Sequence, residues 1–196
     1  MKRYAALVEG RFDFLYAKTA NALLRYRPEE VVCCIDSENA GKTTNEVIKL
    51  GGDTPVVGSF EEAMDFNPDT LVVGVATQGG FLPDNMRQCV RESIESGINV
   101  ICGLHAFLSE DEEFAPLADK HGVSITDLRK PPSPLPFSEG TWRTRKTPTL
   151  LTVGDDCDTG KMTAAWELKR QLEEKGKKVA FVGTGQTGIL LGGFGV

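Results

Sequence analysis

This sequence predicts an α/β protein built on a parallel sheet, and three observations lead to that class. Short apolar runs alternate with amphipathic ones along the first 130 residues, a proline-dense stretch interrupts the rhythm, and a strand–glycine loop–helix pattern follows it. Strands that alternate with helices form right-handed crossover units, which bury a parallel sheet beneath helices on both faces. The fold expected is therefore a Rossmann-like parallel sheet domain followed by the beginning of a P-loop NTPase-like α/β domain.

The elements follow in order. Ala5 to Val8 reads as a strand, and Phe12, Tyr16, Ala20, Leu23 and Leu24 recur at helical spacing after it. Val31 to Ile35 is a second, continuously apolar strand ending at Asp36, as in a sheet covered on both faces. Pro55 to Val57 is a short third strand, and Ser59-Phe60-Glu61-Glu62 carries the capping-box pattern of a helix start. Thr70 to Ala76 is the clearest strand. Met86, Val90 and Ile94 form the stripe of the next helix, which Gly97 closes. Asn99 to Cys102 is a strand, Ser109-Glu110-Asp111-Glu112 reads as a second capping box, and its helix runs through Phe114, Leu117 and Ala118 to Gly122. Val123 to Thr126 completes the set as an edge strand.

Between Pro131 and Pro148 lie five of the ten prolines, a density that suits neither helix nor sheet. The reading is thus a first domain over residues 1–130, a linker over 131–148, and a partial second domain over 149–196. Thr149 to Val153 should be its first strand and Val179 to Val182 its second. The helix between them should bury Ala164, Leu168 and Leu172 on one face and end at Gly176. One helix and two strands cannot cover both faces of a sheet, so this segment is expected to pack on the first domain or on another copy.

Composition narrows the function classes. The chain is 40% hydrophobic and 26% charged, with a formal net charge of −6. That balance argues against a nucleic-acid backbone or an anionic membrane as the main partner, since both select basic faces. The five cysteines (Cys33, Cys34, Cys89, Cys102 and Cys157) show no metal-ligand spacing. No apolar run is long enough to span a bilayer, and the first residues lack a signal peptide's apolar stretch. A cytoplasmic protein acting on a small molecule is expected, without nucleic-acid or membrane partners, and as a homo-oligomer.

The strongest motif runs from Gly154 through Asp156, Cys157 and Asp158 to Gly160, Lys161, Met162 and Thr163. Strand, glycine-bounded loop and helix in that order present backbone N–H groups and a helix N-terminus to an anion, and a lysine reaches its outer phosphates. Five residues rather than four separate the glycines, and Met162 stands where a hydroxyl usually contacts Mg²⁺; Thr163, one step later, is the candidate replacement. Asp156 or Asp158 either orients a metal or a substrate amine, or is a solvated loop carboxylate. Asp36 to Thr43 also contains Gly-Lys-Thr, but with Asp36 for the leading glycine and Glu38 in the loop it reads as a polar turn. Glu9-Gly10-Arg11-Phe12-Asp13 holds one glycine and only weakly suggests a dinucleotide site.

Further candidates sit after strands. Gln78 and Gly79 follow the best strand at the carboxyl edge, where open α/β sheets bind ligands, and are either substrate contacts or a simple turn. His105 is either a general base or a structural histidine. His121, at a helix C-terminus, reads as a cap. Arg129 either clamps a carboxylate or is surface charge. In Gly183 to Gly188, Gln186 and Thr187 are candidate ligand contacts across from the P-loop.

These motifs together resemble the DgcN-type family, once catalogued only as a domain of unknown function. The resemblance is carried by Ala17-Lys18-Thr19-Ala20, Asp36-Ser37, Gly103-Leu104-His105 and Asp127-Leu128-Arg129-Lys130-Pro131-Pro132. It is carried most specifically by Gly154, Asp156-Cys157, Gly160-Lys161-Met162-Thr163 and Thr184-Gly185-Gln186-Thr187-Gly188. Some members act as D-glutamate N-acetyltransferases, and the family joins a Rossmann-like domain to a P-loop domain similar to dethiobiotin synthetase. The resemblance implies acetyl transfer from acetyl-CoA to a D-amino acid. Gly154, Cys157, Gly160, Lys161, Met162, Thr163, Gln186 and Thr187 would hold the cofactor. Asp156, Lys161 and His105 would be catalytic, and Gln78, Gly79 and Arg129 would bind substrate. The P-loop kinship leaves ATP with Mg²⁺, held at Thr163, as the cofactor of an alternative ligase or kinase, and a non-catalytic nucleotide-binding module as a third reading. Ala106 departs from the aspartate the resemblance places after His105. The family also continues beyond Val196, so the resemblance implies a truncated chain.

Overall fold

The computed structural model describes residues 2–135, 137, 139–156 and 159–195. Its centre is a six-stranded parallel sheet of β1 (Tyr4–Leu7), β2 (Val31–Ile35), β3 (Val56–Val57), β4 (Thr70–Val73), β5 (Asn99–Cys102) and β6 (Ile125–Asp127). The spatial order is β3-β2-β1-β4-β5-β6, so the order reverses between β1 and β4. That reversal opens a crevice at the carboxyl ends of those two strands, the place where doubly wound sheets take ligands. β1 is buried along its whole length, as a strand flanked by neighbours and helices must be.

The connecting helices are α1 (Lys18–Tyr26), α2 (Thr44–Ile48), α3 (Phe60–Met64), α4 (Asp84–Glu95) and α5 (Phe114–His121). Their starts show which local signals dominate. The periodic stripe begins at Phe12, but α1 begins only at Lys18, because the Asp13 carboxylate accepts the amides of Leu15 and Tyr16 at 2.7 Å and holds a turn there. Ser59 caps α3 by accepting from the Glu62 amide at 3.2 Å. α5 is started by Asp111, which accepts from Glu113 and Phe114 at 3.0 and 3.2 Å, and not by the pattern at Ser109. Ser109 instead lies in a three-ten turn whose amides are taken by the carboxylate of Asp127. α2 carries a complete capping box between Thr43 and Glu46, directly after the turn read over Asp36 to Thr43. β4 stops at Val73 rather than Ala76, where the chain turns out to the sheet edge.

The C-terminal region comprises α6 (Lys161–Glu174), β7 (Val182–Gly183), α7 (Gln186–Leu190) and β8 (Phe194–Gly195), with β7 and β8 paired in parallel. It docks on the first domain through aromatic and backbone contacts. Trp166 of α6 lies 6.0 Å from the Tyr26 ring and 4.8 Å, edge-on, from Phe181. The Arg27 guanidinium donates to the Leu191 carbonyl, and Leu191 is sealed in the core. The strand read over 179–182 begins only at Val182, and two further sequence expectations fail here. Thr149 to Val153 forms no strand, and Leu150, Leu151 and Val153 are 69–79% exposed. The buried position of α6 is Trp166, whereas Leu168 and Leu172 are about 40% exposed. The reason is shared: among the described residues no strand lies beside this apolar run, so the helix has no sheet to cover.

Candidate functional site

Three features stand out: the glycine loop that opens α6, a welded set of turns at the carboxyl edge of the sheet, and a cavity at the crevice. In the loop, Gly160 stands at the N-cap of α6 with φ +85°, and no side chain caps the helix. The first amides of α6 are thus left to an anion, favoured by the helix dipole. A Cβ at Gly154 would lie 2.7 Å from the Thr159 hydroxyl and 3.3 Å from the Lys161 stem, so the loop closes tightly only over glycine. The Lys161 ammonium folds back over this loop, donating to the Asp156 carbonyl and, at 3.1 Å, to the Thr159 hydroxyl. Thr152 ties the loop to the helix by donating to the Lys161 carbonyl at 3.1 Å. A lysine resting on neutral oxygens beside uncapped amides fits a phosphate-bearing group. Met162 and Thr163 occupy the second and third helical positions. Cys157 and Asp158 lie outside the described residues. Among the described residues no cluster of three acids, histidines or cysteines is placed to hold a metal.

The turns after β4, β5 and β6 are locked together. Gly80, at φ +70°, donates no side chain, and a Cβ there would strike the His105 ring at 2.5 Å. The His105 and Ala106 amides both donate to the Gly80 carbonyl, at 2.9 and 3.0 Å. His105 is exposed while its backbone is pinned to the turn containing Gln78 and Gly79. Gly103 admits Gln186: a Cβ at Gly103 would come within 2.5 Å of the Gln186 stem. Arg129 then closes the joint, donating from Nε to the Gly103 carbonyl at 2.8 Å and from Nη2 to the Gln186 side-chain oxygen. Burial pulls Arg129 down from its ordinary value. Sequence reasoning treated Arg129 and Gln186 as separate ligand contacts; the structure turns them toward each other, as a strut that seats α7 on the end of β5. Thr187 follows on α7, half-buried.

The Gly10 turn is also occupied. Asp36, fully buried at the end of β2, accepts from the Gly10 amide at 2.8 Å and from Asn39 at 2.6 Å. Glu9 reciprocates by accepting from the Ser37 amide at 2.8 Å. In a dinucleotide site an acid at the end of the second strand holds ribose and the first turn holds pyrophosphate. Here each is spent on the other.

The crevice itself holds a cavity of about 270 Å³ lined by Arg11, Tyr16, Thr77, Gln78, Phe81, Leu82 and Pro83. Its two walls are joined where the Ala76 amide donates to the Tyr16 carbonyl at 2.7 Å. Of these residues sequence reasoning named only Gln78 as a substrate contact. Arg11 and Phe81 carry no motif, and only the strand order that puts β1 beside β4 brings them together. The four described free cysteines are buried, and burial pushes the Cys33 and Cys102 thiols up to about 12, so they stay protonated at neutral pH.

Comparison with known proteins agrees with this architecture. Residues 37–131 match the Rossmann-like domain of unknown function DUF1611_N, and residues 136–196 match the P-loop domain DUF1611_C. A D-glutamate N-acetyltransferase of a Pseudoalteromonas species is 38% identical, over 98% of this chain and 55% of its own length. A D-glutamate N-acetyltransferase of Tritonibacter scottomollicae is 33% identical, over 94% of this chain and 52% of its own. The chain thus spans about half the length of these curated relatives. The crystal structure of a DUF1611 family protein from Anabaena variabilis superposes over the whole chain with a TM-score of 0.90 at 34% identity, covering 57% of that protein. A parallel sheet with the 3-2-1-4-5-6 order, a glycine-lysine loop opening α6, and both domain matches place this chain in the DUF1611 family.

Proposed function

We propose that the protein transfers an acetyl group from acetyl-CoA to the amine of D-glutamate or a closely similar D-amino acid. The observation that carries this reading is the glycine loop at Gly154 to Lys161, shaped for a phosphate-bearing group, in a chain 38% and 33% identical to two D-glutamate N-acetyltransferases. Acetyl-CoA would supply the activated acyl group. The chain's own contribution begins with the phosphates: the amides of Lys161 to Thr163 and the Lys161 ammonium would bind them, replacing the Asp156 carbonyl and Thr159 hydroxyl that hold the lysine now. The substrate ammonium must shed a proton before its nitrogen can attack. Asp156 and the exposed His105 are the candidates to accept it, one beside the loop and one at the edge of β5.

The same loop favours a second reading, an ATP-dependent ligase or kinase with Mg²⁺ near Thr163. Thermal unfolding of the protein and of a Lys161→Ala variant, each with acetyl-CoA or Mg-ATP, separates the two. A ligand at 100 times its Kd adds about 2.7 kcal/mol of stability, a visible shift. Stabilisation of the wild type by acetyl-CoA but not of the variant, with N-acetyl-D-glutamate formed on adding D-glutamate, is the expected result. Stabilisation by Mg-ATP alone, with ATP consumed, would move the assignment to the ligase.

A further inference from the structure

The crevice cavity is unlike the rest of this acidic chain. Arg11 is the one charged residue among its lining groups. A second cavity of the same size, beneath α3 and α4, is lined instead by Glu9 and Glu92. The Arg11 guanidinium lies 5.1 Å from the centre of the Tyr16 ring, and among the described residues it has no carboxylate partner. A half-buried arginine is more often paired, because its five N–H donors need acceptors. Cation–π contact fixes the guanidinium while leaving its fork free. The remaining walls divide by chemistry: the rings of Tyr16 and Phe81 and the Leu82 side chain are apolar, whereas Thr77 and Gln78 add polar groups. The Thr77 hydroxyl is already committed, donating to the Phe81 carbonyl at 2.7 Å and so shaping the turn that forms the far wall.

A slot with a free guanidinium and aromatic and aliphatic sides suits a short methylene chain ending in a carboxylate. Methylenes pack on the rings while the carboxylate takes the fork in a bidentate pair. The amide of Gly10, next to Arg11 in the chain, is already held by Asp36 and is not open to a phosphate. The cavity volume is that of a small ligand rather than of a nucleotide. Resting on the acetyl-transfer reading above, we propose that this crevice is the substrate's side-chain pocket and that Arg11 is the specificity-determining residue that receives the distal carboxylate of an acidic amino acid. The turn from Gln78 to Gly80, pinned to His105, then joins the side-chain pocket to the candidate proton acceptor.

Two probes test this, and one does not depend on acyl transfer. Glutarate carries the same methylene chain and carboxylates as D-glutamate but has no amine. Calorimetry with the full protein should detect binding of both compounds. Arg11→Gln should weaken both roughly 10- to 100-fold, the range for loss of a charge-assisted hydrogen bond. In turnover, Arg11→Gln should raise KM for D-glutamate by a similar factor with kcat little changed, and should erase any preference for D-glutamate over D-glutamine. Arg11→Lys, which keeps the charge but loses the fork, should restore part of the affinity. The proposal fails if the wild type binds neither probe, or if Arg11→Gln keeps wild-type affinity and discrimination. Acetylation of D-glutamate that is insensitive to Arg11 would sink the pocket and leave the transferase standing. Arg11-dependent binding of glutarate without any acetylation would leave the pocket standing and sink the transferase.

Discussion

Leu71 and Leu151 both belong to apolar runs that read as parallel strands, yet Leu71 is wholly buried and Leu151 is 79% exposed. The difference lies in their neighbours. Leu71 pairs with Ala5 on one side and Val100 on the other, and helices cover both faces. Leu151 follows the proline-rich stretch, and among the described residues no strand lies beside it. An apolar pattern nominates a strand; adjacent backbone makes it one, because every N–H and C=O withdrawn from water needs a partner. The same contrast separates the helices. α4 buries Met86, Val90 and Ile94 as its stripe requires, while α6 turns its leucines outward and docks by Trp166.

The sharpest way to break this comparison is a paired truncation. Leu71→Ala should cost about 2–5 kcal/mol in denaturant unfolding, from lost burial and the cavity left behind, whereas Leu151→Ala should stay within about 0.5 kcal/mol. Equal costs would mean that the 149–153 run is buried in solution. Next in size, Trp166→Ala should release the C-terminal region. We expect about 3 kcal/mol less protection for the amides of α6 and α7 in hydrogen exchange, with the six-stranded sheet unchanged. Loss of protection in both regions together would make them one cooperative unit.

A smaller effect probes the first domain's surface. Arg87 holds Asp111 by two 3.0 Å bonds and also reaches Glu113 at 2.6 Å, while its guanidinium lies over the Phe114 ring, 4.4 Å from the centre. The Arg87 hydrogen bonds keep both carboxyls below their usual range. A depressed folded-state pKa contributes stability that is present above the unfolded value and lost as pH falls through the folded one. Arg87→Met should therefore cost about 1 kcal/mol at pH 7, discounted for partial exposure. That gap from wild type should shrink as pH falls below roughly 4, the ordinary aspartate range. A gap that persists at low pH would assign the loss to packing on Phe114 instead.

How much was legible follows the range of the interaction. Strands β1, β2, β4 and β5 were readable because each is a run of apolar residues whose local pattern matches its buried environment. The glycine loop was readable because its chemistry lies within ten consecutive residues. The failures share a cause. Helix starts at Lys18 and Phe114 moved because Asp13 and Asp111 bind amides in their own turns, in competition with the hydrophobic stripe. Nothing local paired Arg129 with Gln186, 57 positions further along the chain, yet the two meet in space.

By itself, the sequence determined the fold class, the alternation of strands and helices in the first domain, and the glycine-lysine loop ahead of α6, since each is written in local periodicity or local spacing. Only the tertiary structure decided that β1 lies beside β4, that the arginine after one faces the aromatic turn after the other, and that Arg129 seats α7 on the sheet. These are long-range pairings, selected by the burial of a whole sheet rather than by any one segment, and no short stretch of chain encodes them.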